Sequence, residues 1–227
     1  MTYLHHILWL CFLPLSLTAP TVNLPGGSKV IGATAQNVDS FTGIRFAEPP
    51  TGNLRLKAPQ PVKSNAGTIQ ATGIPTGCSQ FVASAPPSKI VCSHFYSLIS
   101  QTQKDANSTN STTPTFGEDC LNLNVQRPAN ATANSKLPVV FWIFGGGFEL
   151  GSTQSYDATQ LINTSVAQGK DIVYVAANYR VGGFGFMPGK EVLTDGSANL
   201  GLLDQRLALQ VSRFLCSLIL EPSSQSS

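Results

Sequence analysis

Residues 138–152, PVVFWIFGGGFELGS, hold the pattern with the clearest chemical reading. An apolar, strand-like run breaks into Gly145, Gly146 and Gly147, and Phe148 follows. Three bare residues in a row cost conformational entropy, so the backbone here must turn sharply or approach something closely. A dinucleotide fingerprint needs G-x-G-x-x-G opening a helix with an acid further on, and this spacing differs. Two readings stay open from the residues alone. One is a plain tight turn. The other is a set of backbone N–H groups that hold the negative oxygen of a tetrahedral intermediate in acyl transfer, where losing one donor costs about 3–4 kcal/mol.

An oxyanion requires an attacking nucleophile. In hydrolases that follow the third core strand with such a loop, the nucleophile is a serine in Gly-x-Ser-x-Gly, followed along the chain by an acid and then a histidine. These 227 residues contain no such elbow. Ser28 has Gly26 before it but Val30 after it, and Ser197 is flanked by Asp195 and Asn199. The three histidines are His5, His6 and His94. The first two lie in a leader, and His94 lies in the variable stretch ahead of the regular blocks that begin at 118, whereas a triad histidine comes last. His94 is therefore assigned an ordinary loop position. No metal-ligand spacing or phosphate loop occurs, and a net charge of +2 without a basic cluster gives no footprint for nucleic acid.

The elements that must position the glycines are legible in outline. Residues 21–46 read as short strands and turns (TVNL, PGGS, KVIGAT, VDSFTGIRF), and the proline-rich AEPPTGNLRLKAPQP as an extended loop. Residues 64–117, rich in Ser, Thr, Gly and Pro, read as a long excursion of the kind that forms lids or binding loops. In EDCLNLNVQRP, Leu121, Leu123 and Val125 alternate with Asn122, Asn124 and Gln126, which predicts a half-buried strand. LPVVFWIF is apolar on both faces and predicts a strand inside a covered parallel sheet. A helix over 157–168, with Leu161, Ile162 and Val166 on one side, leads to a second apolar strand, DIVYVAANYR. That is a βαβ unit with a parallel pair. ANLGLLDQRLALQ predicts a helix capped by Asn199, with Leu200, Leu203 and Leu207 on one face.

The length suits one domain, and 42% hydrophobic with 11% charged residues is globular composition, below the roughly one quarter charged that is typical. Residues 1–19 read as a secretion signal: Ile7 to Leu17 is an apolar run of the right length, too short to span a bilayer, and small residues follow at Thr18 and Ala19. Four glycosylation sequons lie downstream, at Asn107, Asn110, Asn130 and Asn163. Removing the signal takes Cys11 and leaves Cys78, Cys92, Cys120 and Cys216 in an oxidising compartment.

Four blocks together resemble the type B carboxylesterase and lipase family: FTGIRFAEPPTGNLRLKAP (41–59), EDCLNLNV (118–125), PVVFWIFGGGFELGS (138–152) and NYRVGGFGF…ANLGLLDQRLALQ (178–210). The family's usual histidine before the glycines is Phe144 here, as in its secreted fungal lipases. The resemblance implies an α/β-hydrolase fold, a mixed, mostly parallel sheet with flanking helices, truncated to its N-terminal portion. It implies oxyanion donors at the amides of Gly146 and Gly147, a Cys78–Cys120 disulfide, and ion pairs Arg55–Glu118 and Arg180–Asp204. Cys92 departs from the pattern and reads as free. The implied activity is carboxylic-ester hydrolysis by a serine nucleophile, on an ester or lipid substrate, with no cofactor or metal and in the extracellular space; no oligomeric state is implied. The alternative is a relative that keeps the fold as a non-catalytic binding or adhesion protein.

The resemblance covers residues 20–210, and 211–227 (VSRFLCSLILEPSSQSS) read as a non-family tail. Val211-Ser212 fits GTA-AGT, a splice-donor-like sequence, so the tail is expected to be translated intron. The chain is then expected to be inactive, with an apolar edge strand near 139–144 or 171–177, and residues 20–227 alone are expected to be insoluble or molten.

Overall fold

The computed structural model of the chain describes residues 19–24, 27–63, 67–80, 115–132 and 135–219. His5, His6, Cys11, Cys92, His94, Asn107 and Asn110 lie outside them. The strands are β1 Thr21–Asn23, β2 Lys29–Ile31, β3 Ala33–Ala35, β4 Val38–Arg45, β5 Thr68–Gln70, β6 Gly77–Cys78, β7 Phe116–Gly117, β8 Asn122–Pro128, β9 Val139–Trp142 and β10 Val173–Ala177. The helices are α1 Thr159–Ala167, α2 Gly182–Phe186, α3 Lys190–Thr194 and α4 Leu200–Ile219. The proline-rich loop after β4 contains one short 3-10 turn, Gly52–Leu54, where only extended chain was expected.

The main sheet has the order β3-β4-β8-β10-β9. The β3–β4 hairpin turns through Gln36 (φ 49°) and Asn37 (φ 61°), the two left-handed residues that match a two-residue loop to the strand twist. β4 and β8 pair antiparallel across a bulge between Phe41 and Ile44, and β8 and β10 pair antiparallel from Tyr174↔Gln126 to Ala177↔Leu123. β9 and β10 pair parallel from Val173↔Val139 to Ala176↔Trp142, with α1 between them, which is the expected βαβ unit. The sheet is thus mixed and flanked by helices, antiparallel on its β3 side and parallel at β10–β9. Parallel pairing needs a long return connection, and among these strands the one through α1 provides it.

One face of the sheet packs Phe41, Ile44, Leu123, Val125, Val173 and Val175 against Ala208, Leu215 and Cys216 of α4. The other packs Val38, Tyr174 and Ala176 under Ala158, just before α1, and Ile162 of α1. Each fully buried side chain of the Ile, Leu or Phe type contributes roughly 1.5–3 kcal/mol. Of the apolar residues expected on one side of α1, only Ile162 is buried; Leu161 and Val166 are exposed because the helix rests on the sheet along a single narrow contact. On α4 the buried positions through residue 216 are Leu200, Gly201, Asp204, Ala208, Ser212, Leu215 and Cys216, which recur at helical spacing; Leu203 and Leu207 flank them half-buried. The Asn199 carbonyl receives the amides of Leu202 (3.0 Å) and Leu203 (3.2 Å). α4 continues beyond Gln210 to Ile219, and Val211 packs on the core. Cys216 is a free thiol, which burial pushes up to about 11, so it is protonated and inert at neutral pH.

Two strand environments differ from what the strands' own residues suggest. β8 is buried on both faces rather than one, because its polar side chains are bonded to protein groups instead of water. The Asn124 carboxamide oxygen receives the Gly43 amide at the bulge (3.0 Å). Gln126 donates to Ser40 Oγ (3.0 Å) and Asp157 Oδ1 (2.8 Å) and receives the Ala158 amide (2.8 Å), so it sets the start of α1. β9, whose apolar run by itself suggests cover on both faces, is the open apolar edge that the truncation reading expects near 139–144, with Val139 44%, Val140 38% and Trp142 41% exposed and Ile143 just after it 44% exposed. Phe141 packs on the main core and the Trp142 ring leans on Tyr156 (5.4 Å between centroids), while the remaining apolar surface of β9 stays exposed among the described residues.

Candidate active site

β9 leads through Ile143 and Phe144 into the glycine turn, and the second of these anchors it. Phe144 is 2% exposed and stacks on Tyr179 at 4.2 Å between ring centroids. The Tyr179 hydroxyl donates to the Phe144 carbonyl (2.7 Å), and burial, then the nearby Tyr156, pushes that phenol's pKa up. The backbone thus enters the turn with its last carbonyl already satisfied.

The turn itself runs through Gly146 (φ 142°), Gly147 (φ 65°) and Phe148 (φ 63°). The Gly146 carbonyl receives the amides of Glu149 (3.1 Å) and Leu150 (3.3 Å). A Cβ on Gly146 would lie 2.0 Å from the Leu150 carbonyl oxygen, so this closure requires glycine. Among the described residues, the amides of Gly146 and Gly147 donate to no acceptor. The Phe148 carbonyl receives the Gly182 amide (2.6 Å), tying the turn to the start of α2, while the Phe148 ring, 55% exposed, leans on Phe186. At the exit, Gln80 holds Gly151 on both sides: its carboxamide oxygen receives the Gly151 amide (2.9 Å) and its nitrogen donates to the Gly151 carbonyl (3.1 Å).

Below the turn lies a buried polar hub. The Asn178 side chain donates to the Thr76 carbonyl and to Asn122 Oδ1, both at 3.0 Å, and receives the Thr153 amide (2.9 Å). Asn122 also donates to Thr76 (3.1 Å). The alternating polar positions of EDCLNLNVQRP therefore hold the loops around the turn in place.

Cys78 and Cys120 are joined as a disulfide with Cα atoms 4.9 Å apart, closing a loop over a sequence separation of 42. Closure of that length stabilises by about 4 kcal/mol in the chain-entropy model. The Gln80 clamp therefore hangs two residues from a covalent anchor. Arg55 and Glu118 form a bidentate pair at the surface, with an Nη2–Oε2 contact of 2.6 Å; each holds the other's charge, so the Glu118 carboxyl is lowered and the Arg55 guanidinium raised. Arg180 and Asp204 are buried: Nε and Nη2 of Arg180 donate to the carboxylate at 2.8 and 2.7 Å, the Arg180 amide adds a third bond (3.0 Å), and Nη1 donates to the Lys57 carbonyl (2.8 Å). The Arg180 carbonyl would lie 2.5 Å from a Cβ on Gly201, so α4 approaches this strand exit closely.

Asn130 stands exposed in the turn after β8, and Asn163 lies within α1. Sequence reasoning missed Gln80, Asn178 and Tyr179 as supports, and also the pairs Arg45–Asp119, Lys57–Asp195 and Arg127–Asp39. Gln80 and Tyr179 carry no local signal, because their partners lie 71 and 35 residues away. Among the described residues no group of three His, Cys, Asp or Glu side chains could hold a metal ion, and no helix is long and apolar enough to cross a membrane. Chemically, the arrangement is a rigid turn presenting unused N–H donors at the end of a strand, suited to holding an anionic oxygen.

A family model described as "Carboxylesterase family" matches residues 17–213. The chain is 51% identical over 193 residues to Secreted lipase 1 of Botryotinia fuckeliana, covering 85% of this chain and 33% of that protein. It is 50% identical over 191 residues to Secreted triacylglycerol lipase LIP1 of Gibberella zeae, covering 84% and 31%. Among solved structures, Aspergillus niger EstA matches with a TM-score of 0.69 and 34% identity over 89% of this chain and 34% of that one. The chain thus spans about a third of the length of the curated relatives it matches.

Proposed function

Because this chain belongs to the carboxylesterase family, with the α/β-hydrolase fold of its esterase neighbours, we propose that residues 20–210 are the oxyanion-holding portion of a secreted carboxylic-ester hydrolase of the lipase type. In this reading a serine attacks the ester carbonyl, the amides of Gly146 and Gly147 receive the developing negative oxygen, and water hydrolyses the acyl-enzyme. The observation that carries it is the pair of unused amides in a turn that requires glycine at 146. The disulfide, through Gln80, and the Arg180–Asp204 pair, through α4 and the strand exit, hold that turn in shape.

The serine, acid and histidine belong, in this reading, to sequence outside these 227 residues, in the two thirds of the relatives' length that the chain does not span. The chain alone then turns over no ester. With a chromogenic short-chain ester, its rate is expected to equal the buffer background. Turnover above background that a serine-directed organophosphate abolishes would overturn this.

A further inference from the structure

The two sequons within the described residues sit in opposite surroundings. Asn130 follows β8 in a turn closed by the Ala131 amide on the Pro128 carbonyl (3.0 Å), and it is exposed. Its side chain has no hydrogen-bond partner among the described residues. Asn163 lies inside α1, half-buried, and its Nδ2, the atom a sugar would join, donates to the Gln36 carbonyl of the β3–β4 hairpin (3.3 Å). The hydroxyl that completes its sequon, on Ser165, is turned back to the Ile162 carbonyl (2.7 Å). The neighbouring Ile162 is fully buried in the cluster that contains Val38. Once α1 has docked, Asn163 is therefore engaged in holding helix to hairpin, and Asn130 has no structural duty.

We propose that Asn130 is an N-glycan attachment site and that Asn163, despite its sequon, is left unmodified. This rests on the secretion reading above. In the transfer, Nδ2 of Asn130 forms a bond to the anomeric carbon of a lipid-diphosphate-linked oligosaccharide. The bond from that carbon to the phosphate oxygen breaks, the lipid diphosphate leaves with the electron pair, and Nδ2 gives up one proton to solvent. Pro128 pairs with Val38 at the sheet end where β9 and β10 begin, and the glycine turn lies past the opposite end of β9. A glycan on Asn130 therefore leaves the oxyanion turn open.

The test is to secrete from yeast, behind this chain's own leader, a complete protein in which residues 20–210 replace the matching stretch of the Botryotinia fuckeliana relative, with an added Asn-x-Thr tag at the C-terminus. Peptide N-glycosidase treatment in heavy-oxygen water then marks each formerly occupied asparagine for mass spectrometry. Asn130 is expected to be marked in most molecules and Asn163 in few. Asn130→Gln should remove one enzyme-sensitive step in gel mobility, and Asn163→Gln none. A marked tag with bare Asn130 overturns the proposal and leaves secretion standing. A bare tag together with bare Asn130 overturns both. Equal marking of Asn163 and Asn130 overturns the assignment of roles.

Discussion

Gly146→Ala is expected to lower kcat by about a hundred- to a thousandfold, the cost of losing one oxyanion donor. The measurement needs a complete enzyme, so residues 20–210 would replace the matching stretch of the Botryotinia fuckeliana relative, to which the chain is 51% identical. The added methyl carbon would lie 2.0 Å from the Leu150 carbonyl, and φ 142° at 146 is itself hostile to a side chain. The closure onto the Gly146 carbonyl must open, which moves the amides of both 146 and 147. KM should change little, because the donors act on charge that appears in the transition state. Gly145→Ala is the control: a Cβ there meets nothing within 4 Å and its φ is not positive. An unchanged kcat for Gly146→Ala, with both variants folded by circular dichroism, would sink the oxyanion assignment.

Asp204→Ala should destabilise the same chimera by about 3–5 kcal/mol in urea melts, the usual cost of stranding one member of a buried ion pair. Asp204 is fully buried and Arg180 nearly so, and the carboxylate receives three of the arginine's donors. Burial pushes the Asp204 carboxyl's pKa up in spite of Arg180's bonds, so desolvation is the larger influence on it. The pair then serves to fix the angle between the strand exit and α4 more than to add net stability. Accordingly, the double variant Arg180→Met with Asp204→Leu should recover much of the loss. A single variant as stable as the parent would refute this account.

Parts of this molecule could be read before any coordinates. The βαβ unit shows in the change from an apolar run to a helical period and back, and the glycine turn in three consecutive bare residues. Two strand environments could not be read from the strand residues alone. Alternation in LNLNVQ reports that the two faces differ, not that one is wet; Asn122, Asn124 and Gln126 are buried because loops distant in sequence bring them partners. A continuous apolar run such as VVFW reports that both faces want cover, not that cover is present. Supports such as Gln80 are invisible for a related reason: a glutamine clamp is defined by what arrives opposite it.

The open edge gives the protein an optical gauge. The chain has two tryptophans, Trp9 and Trp142; if residues 1–19 are removed, as the proposed secretion implies, Trp142 alone remains. Trp142 is 41% exposed beside Tyr156, with its ring on the rim of the sheet that leads into the glycine turn. Whatever lays a further strand along β9 must also dry that indole. Emission at long wavelength therefore marks the bare rim, and a blue shift marks the moment it is covered, reported from within a few residues of the amides that would hold the oxyanion.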